Sequence, residues 1–131
     1  MDVDPIPLKT IRDYLAPDGS EIYLLADGSN GGLCLCILPV GATSHATSHK
    51  TVEELWFFLE GEGEVYREGL NNDEPVSVFR GTSLVIPVQT IFQFRNTGKV
   101  PLKFVIATMP PWPGPNEANT GVVGKWQQHD S

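Results

Sequence analysis

Cysteine is scarce: the 131 residues include two, Cys34 and Cys36. On a strand, residues two apart point to the same face, and a disulfide between such near neighbours needs strained geometry. A redox pair has two intervening residues rather than one. Both are therefore expected as small core residues of a reduced, cytoplasmic protein. Cations are also few, with nine Lys and Arg against sixteen Asp and Glu, a net charge of -7, and no basic run. So acidic a surface repels phosphate backbones and anionic headgroups, which argues against nucleic acid and membrane partners. No apolar stretch approaches the roughly 20 residues that span a bilayer. The opening MDVDPIPLKT has no apolar core of the kind a signal peptide needs. Helical signals are thin: Thr10 is a candidate N-cap for one turn reaching Leu15, and Pro17 would stop it. There is no internal repeat, low-complexity tract, Gly-rich phosphate loop or nucleophile triad.

Turn residues, by contrast, are plentiful. Thirteen glycines and eleven prolines punctuate the chain. Between them lie short runs rich in β-branched and aromatic residues, at 21–26, 33–40, 43–49, 54–59, 62–68, 76–79, 83–88, 91–96 and 102–108. Turn signals separate them, among them Asp27-Gly28-Ser29, Gly61, Asn71-Asn72-Asp73, Arg80-Gly81 and Thr97-Gly98. Many short strands at regular spacing predict one all-β domain, a sandwich or barrel, over 1–131. Its core should run from about 20 to 109. The last stretch, 110–131, begins Pro110-Pro111-Trp112-Pro113, which cannot be a central strand because proline gives no N–H to a ladder. It is expected to lie across the barrel, anchored by Trp112 and Trp126.

Two segments carry chemistry. Residues 41–61 read GATSHATSHKTVEELWFFLEG. They resemble the first motif of the cupins, G-x5-H-x-H-x(3,4)-E-x6-G, with Gly41, His49, Glu54 and Gly61 in place and Thr47 at the position of the first His. Residues 81–96 read GTSLVIPVQTIFQFRN. They resemble the second motif, G-x5-P-x-G-x2-H-x3-N, with Gly81, Pro87 and Asn96 in place, Gln89 at the second glycine and Phe92 at the His. The two cover about a quarter of the chain, and the tail with the HKTVEE stretch is similar to that of small stand-alone cupins. The resemblance implies a double-stranded β-helix (a jelly-roll barrel) with three imidazoles and one carboxylate converging on a metal such as Fe, Mn, Ni or Zn. It also implies pairing into a homodimer through sheet edges and terminal segments.

This chain departs from that pattern at half of the ligand positions. A Thr47 hydroxyl is a poor ligand beside an imidazole, Phe92 offers no lone pair, and two protein ligands rarely hold a transition metal tightly. A rescued site would draw His45, which strand alternation places on the face of Thr47 and His49, and Gln89, whose amide oxygen sits near the expected centre. The spacing to Gly61 makes Glu54, not Glu53, the inward carboxylate. Trp56, Phe58, Phe92 and Phe94 would share the interior with His49 and Glu54 as an aromatic-lined cup, with Thr47 and Gln89 among its polar groups. Three readings stay open. In the first, the barrel binds a small molecule without metal. In the second, a metal-dependent dioxygenase, isomerase or decarboxylase uses His49 and Glu54 with His45 or Gln89. In the third, a metal-free isomerase or epimerase uses His49 and Glu54 as an acid/base pair. Arg67, Arg80 and Arg95 are candidates for anion recognition if they line the mouth.

Overall fold

The computed structural model describes residues 3–128. Among the described residues eleven strands form and there is no α-helix. They are β1 (Tyr14–Leu15), β2 (Glu21–Asp27), β3 (Gly32–Leu38), β4 (Ser48–His49), β5 (Glu53–Glu60), β6 (Glu62–Arg67), β7 (Val76–Phe79), β8 (Ser83–Ile86), β9 (Phe92–Asn96), β10 (Leu102–Met109) and β11 (Ala118–Asn119). A six-stranded sheet has the order β1-β2-β3-β10-β5-β8, a three-stranded sheet the order β7-β6-β9, and β11 pairs with β4. All strand pairs are antiparallel. The expected strands appear with ends shifted by a few residues, apart from the 43–49 run. There only β4 is regular, preceded by isolated bridges at Thr43 and Thr47. The helical turn expected before Pro17 is absent. Its last two residues instead pair with β2 as β1, because Tyr14 and Leu15 find open backbone partners at Ile22 and Glu21.

Alternation decides which side chains enter the barrel. Along β5, Glu54, Trp56 and Phe58 are buried while Glu53, Leu55 and Phe57 face solvent. Along β10, Leu102, Phe104, Ile106 and Thr108 alternate inward in the same way. The register sets Trp56 opposite Ile106 and Phe58 opposite Phe104. With Phe94 from the facing sheet these rings form one plug. Phe104 lies 4.5 Å from Trp56, 4.7 Å from Phe58 and 5.4 Å from Phe94, centroid to centroid. Each such contact adds about 0.5–1.5 kcal/mol beyond the area it buries. Phe58 and Phe94 are spent in this plug, so neither reaches the cavity described below.

Two turns show why particular residues stand where they do. Gly61 joins β5 to β6 with φ +90°, and a Cβ there would lie 2.7 Å from the Pro101 carbonyl oxygen, so only glycine fits. Asn71, Asn72 and Asp73 all take positive φ, which short polar side chains tolerate best.

The segment after β10 is part of the barrel wall. β11 pairs Ala118 with His49. Further on, Gln93 clasps the Trp126 backbone from both sides, its amide nitrogen donating to the Trp126 carbonyl (2.7 Å) and its oxygen accepting from the Trp126 N–H (2.8 Å). The Arg95 guanidinium sits 4.2 Å from the Trp126 ring. Residues 129–131 of the expected tail lie outside the described residues.

Candidate functional site

A cavity of about 80 Å³ lies between the sheets, lined by His49, Glu54, Thr47, Trp56, Phe92 and Trp112 together with Asp18, Ser20, Cys34, Ile106 and Thr108. It holds a few waters or an organic group of a handful of heavy atoms. A wider apolar basin of about 610 Å³ sits against it and shares Tyr14, Leu24, Leu33 and Trp112.

His49 ends the short strand β4, and Glu54 is the second residue of β5. The loop between them is fixed from the tail by Glu117. One carboxylate oxygen of Glu117 accepts from the Thr51 and Val52 backbone N–H groups (2.7 and 2.9 Å), and the other from the Thr51 hydroxyl (2.6 Å). Burial works against this charge, but those hydrogen bonds outweigh it and hold the Glu117 carboxyl below the usual range. The His49 ring is gripped edge-on by Phe92 and Trp112, with centroids 5.2 and 5.0 Å away. Its Nδ1 is buried and has no hydrogen-bond partner. Glu54 Oε2 lies 3.8 Å from it, too far for a hydrogen bond. Glu54 Oε1 accepts from the Trp56 indole N–H at 2.9 Å.

Burial keeps both groups neutral. Loss of water raises the Glu54 carboxyl to about 8; the Trp56 hydrogen bond opposes the rise, while Asp18 and Glu117 add to it. Loss of water lowers His49 to about 4, with Glu117 opposing. Asp18 is buried in the same wall and is also raised by burial, although the Ser20 hydroxyl (2.6 Å) and N–H (3.0 Å) donate to it. Cys34, pushed up to about 12 by burial, is a neutral thiol. At neutral pH a 3.8 Å contact between a protonated carboxyl and a neutral imidazole is not an ion pair.

The structure brings together Thr47, His49, Glu54, Trp56 and Phe92. His45 is exposed and lies outside the cavity, with its ring against Gly19. Residues 43–47 do not form a regular strand, so alternation does not carry His45 inward. Gln89 is exposed as well. It keeps the left-handed backbone of the glycine whose position it fills, φ +66°, and its N–H bonds the His49 carbonyl (2.8 Å), which turns its side chain away from the cavity. Arg67 donates to the Val85 carbonyl and Asn71, and Arg95 to Glu64; neither they nor Arg80 line the cavity. Asp18, Ser20 and Glu117 carried no sequence signal, since they lie in segments with no periodicity. Trp112 stood out by size but not by role.

A transition metal of the kind the cupin resemblance implies does not fit these residues. Of its four ligand positions, only His49 and Glu54 carry donors; Thr47 and Phe92 face each other as a backbone bridge. Among the described residues no three His, Cys, Asp or Glu are grouped as a metal site would require.

Comparison with known proteins gives a consistent picture. The family model described as a cupin domain matches residues 34–108. A Methanocaldococcus jannaschii protein named uncharacterized protein MJ1618 is 33% identical over 107 residues, 78% of this chain and 82% of its own length. Among solved structures, an RmlC-like cupin with a double-stranded β-helix fold from the same organism superposes with a TM-score of 0.62 at 15% identity, covering 84% of this chain and 94% of that one. BH2720 from Bacillus halodurans gives 0.63 at 24% identity and 76% coverage of each chain. A predicted oxalate decarboxylase from Thermotoga maritima gives 0.60 at 20% identity, covering 70% and 80%. At these identities the solved structures speak for the fold alone.

The two shifted groups tie stability to pH with opposite signs. Glu54 is held protonated by the folded state, so its contribution is complete below its ordinary 4.5 and is lost as pH rises to about 8. His49 is held neutral, so its contribution is complete above its ordinary 6.5 and is lost as pH falls to about 4. The slopes oppose each other where they overlap, so that of these two groups only Glu54 weakens the fold above pH 6.5. In thermal melts, the Glu54→Gln protein should gain on the wild type as pH rises from 6.5 to 8. A melting-temperature difference that stays constant across that interval would contradict the assignment.

Proposed function

The chain belongs to the cupin family, and from that membership and the cavity above we propose that it is a small-molecule-binding cupin. The ligand is an organic molecule oriented by His49 and Glu54 without a metal, and the walls Thr47, Trp56, Phe92 and Trp112 surround it. The observation that carries this reading is the His49 Nδ1 atom, buried beside a cavity without a partner. A polar atom so placed costs free energy unless something supplies its hydrogen bond.

The donor set disfavours a metal-dependent dioxygenase, isomerase or decarboxylase. A carboxylate substrate of the kind the Thermotoga relative's name implies would meet no Lys or Arg in the cavity. An acid/base isomerase or epimerase built on His49 and Glu54 is weakened by the imidazole, since a base held near 4 accepts protons poorly at neutral pH.

Pairing of two copies belongs to the same proposal. On the outer face of the six-stranded sheet, Leu55, Ala107 and Leu33 form one cross-strand row and Phe57 and Val105 lead the next, whose third member, Leu35, is already buried. Leu55 and Phe57 are 47% and 48% exposed. Such a face marks an interaction surface, and a second copy presenting the same rows would cover it. Sedimentation should give a dimer; a monomer at high micromolar concentration would contradict pairing.

Ligand and metal are tested together on protein purified without a histidine tag. Denaturation should release one organic molecule per chain, seen by mass spectrometry, while elemental analysis finds transition metal far below stoichiometric. The His49→Ala protein should retain the molecule about tenfold less well or worse, since it loses a buried polar contact. Stoichiometric metal that disappears in His49→Ala would overturn the reading in favour of the metal-dependent one.

A further inference from the structure

The small-molecule reading leaves the ligand's chemistry open, and the cavity restricts it. Its lining holds no lysine or arginine. The groups that face it are acidic or neutral from every side: Glu54 on β5, Asp18 before β2, Asp27 at the end of β2, Tyr14 on β1, Cys34 on β3 and His49 on β4. Glu117 stands behind them on the Thr51 and Val52 amides. Two cations near the lining in sequence are engaged elsewhere: Lys50 donates to the Asn116 carbonyl and Arg95 to Glu64. An anion entering this cavity would gain no countercharge and would meet carboxyl groups.

When a cation takes the place of the Glu54 proton, which leaves to solvent, the two polar atoms that face the cavity are both acceptors. Glu54 Oε2 and His49 Nδ1 lie 3.8 Å apart, unbonded to each other, and Nδ1 has no donor. One nitrogen placed between them lies within about 2.8–3.0 Å of each, ordinary hydrogen-bond distance. It must offer two N–H bonds, which an alcohol cannot do. The walls beside this point are the rings of Trp56, Phe92 and Trp112, and aromatic walls attract an organic cation.

We propose that the cavity takes the head of a small organic ammonium ion, with its N–H groups bridging His49 Nδ1 and Glu54 Oε2 and its carbon enclosed by Trp56, Phe92 and Trp112. This rests on the small-molecule reading and narrows it. The head fits the cavity of about 80 Å³. An alkyl body extends into the apolar basin beyond Trp112.

The test is calorimetric titration of ligand-free wild type and Glu54→Gln with three probes of similar size: ethylammonium, acetamide and acetate. The proposal expects ethylammonium to bind the wild type more tightly than either other probe. It expects Glu54→Gln to lose about tenfold or more for ethylammonium, because Gln cannot give up a proton to become the carboxylate that pairs with the bound cation, with acetamide unchanged. Tighter binding of acetamide or acetate would overturn the ammonium assignment while leaving the small-molecule reading intact, and so would equal ethylammonium affinity in Glu54→Gln. If none of the three binds, the assignment falls; if in addition no organic molecule co-purifies, the small-molecule reading falls with it.

Discussion

A carboxyl group and an imidazole buried side by side without a cation constrain everything around them. Charge is too costly in such a place, so both are held neutral, and the cavity they share is polar without being charged. The Trp56 indole supplies Glu54 with its one hydrogen bond. Phe92 and Trp112 pin the His49 ring but give its Nδ1 nothing. Where the family pattern would converge two more imidazoles, Thr47 and Phe92 bond to each other through the backbone (3.0 and 2.8 Å) and close the wall. The barrel has the cupin fold but lacks donors at two of the four ligand positions of that pattern.

The C-terminal segment completes this wall. β11 extends the edge that carries His49, Trp112 packs on the imidazole, and Glu117 ties down the loop joining His49 to Glu54. Glu117 and Glu54 show how environment separates two identical side chains. The first accepts three hydrogen bonds and keeps its charge; the second accepts one and gives its charge up. The loop between His49 and Glu54 is thus tied down by a residue more than sixty positions away from both.

The barrel was legible because its signals are local and repeated. Alternation along 54–58 and 102–108 names the inward residues, and the six-residue spacing from Glu54 to Gly61 selects Glu54 over Glu53. The site was legible only where it lies on those strands. His45 was misplaced because alternation was extended through 43–47, a segment held by two bridges rather than a ladder. Gln89 was misplaced because the pattern gives its backbone conformation, not its side-chain direction. Phe58 and Phe94 share a face with Trp56 and Phe92, but depth along the barrel, which sequence does not encode, assigns them to the core plug. Asp18 and Glu117 act through long-range contacts made by irregular segments, and no period marks them.

The chemistry of the cavity depends on Glu54 being uncharged at neutral pH in the free protein. Carbon-13 NMR of the side-chain carboxyl groups, assigned with Glu54→Gln and followed from pH 4 to 9, measures this directly. One carboxyl resonance should stay in its protonated position through pH 7 and move with a midpoint near 8. A Glu54 resonance that moves near the ordinary 4.5, with the imidazole nitrogens of His49 carrying the second proton at neutral pH, would show an ion pair and contradict the neutral state.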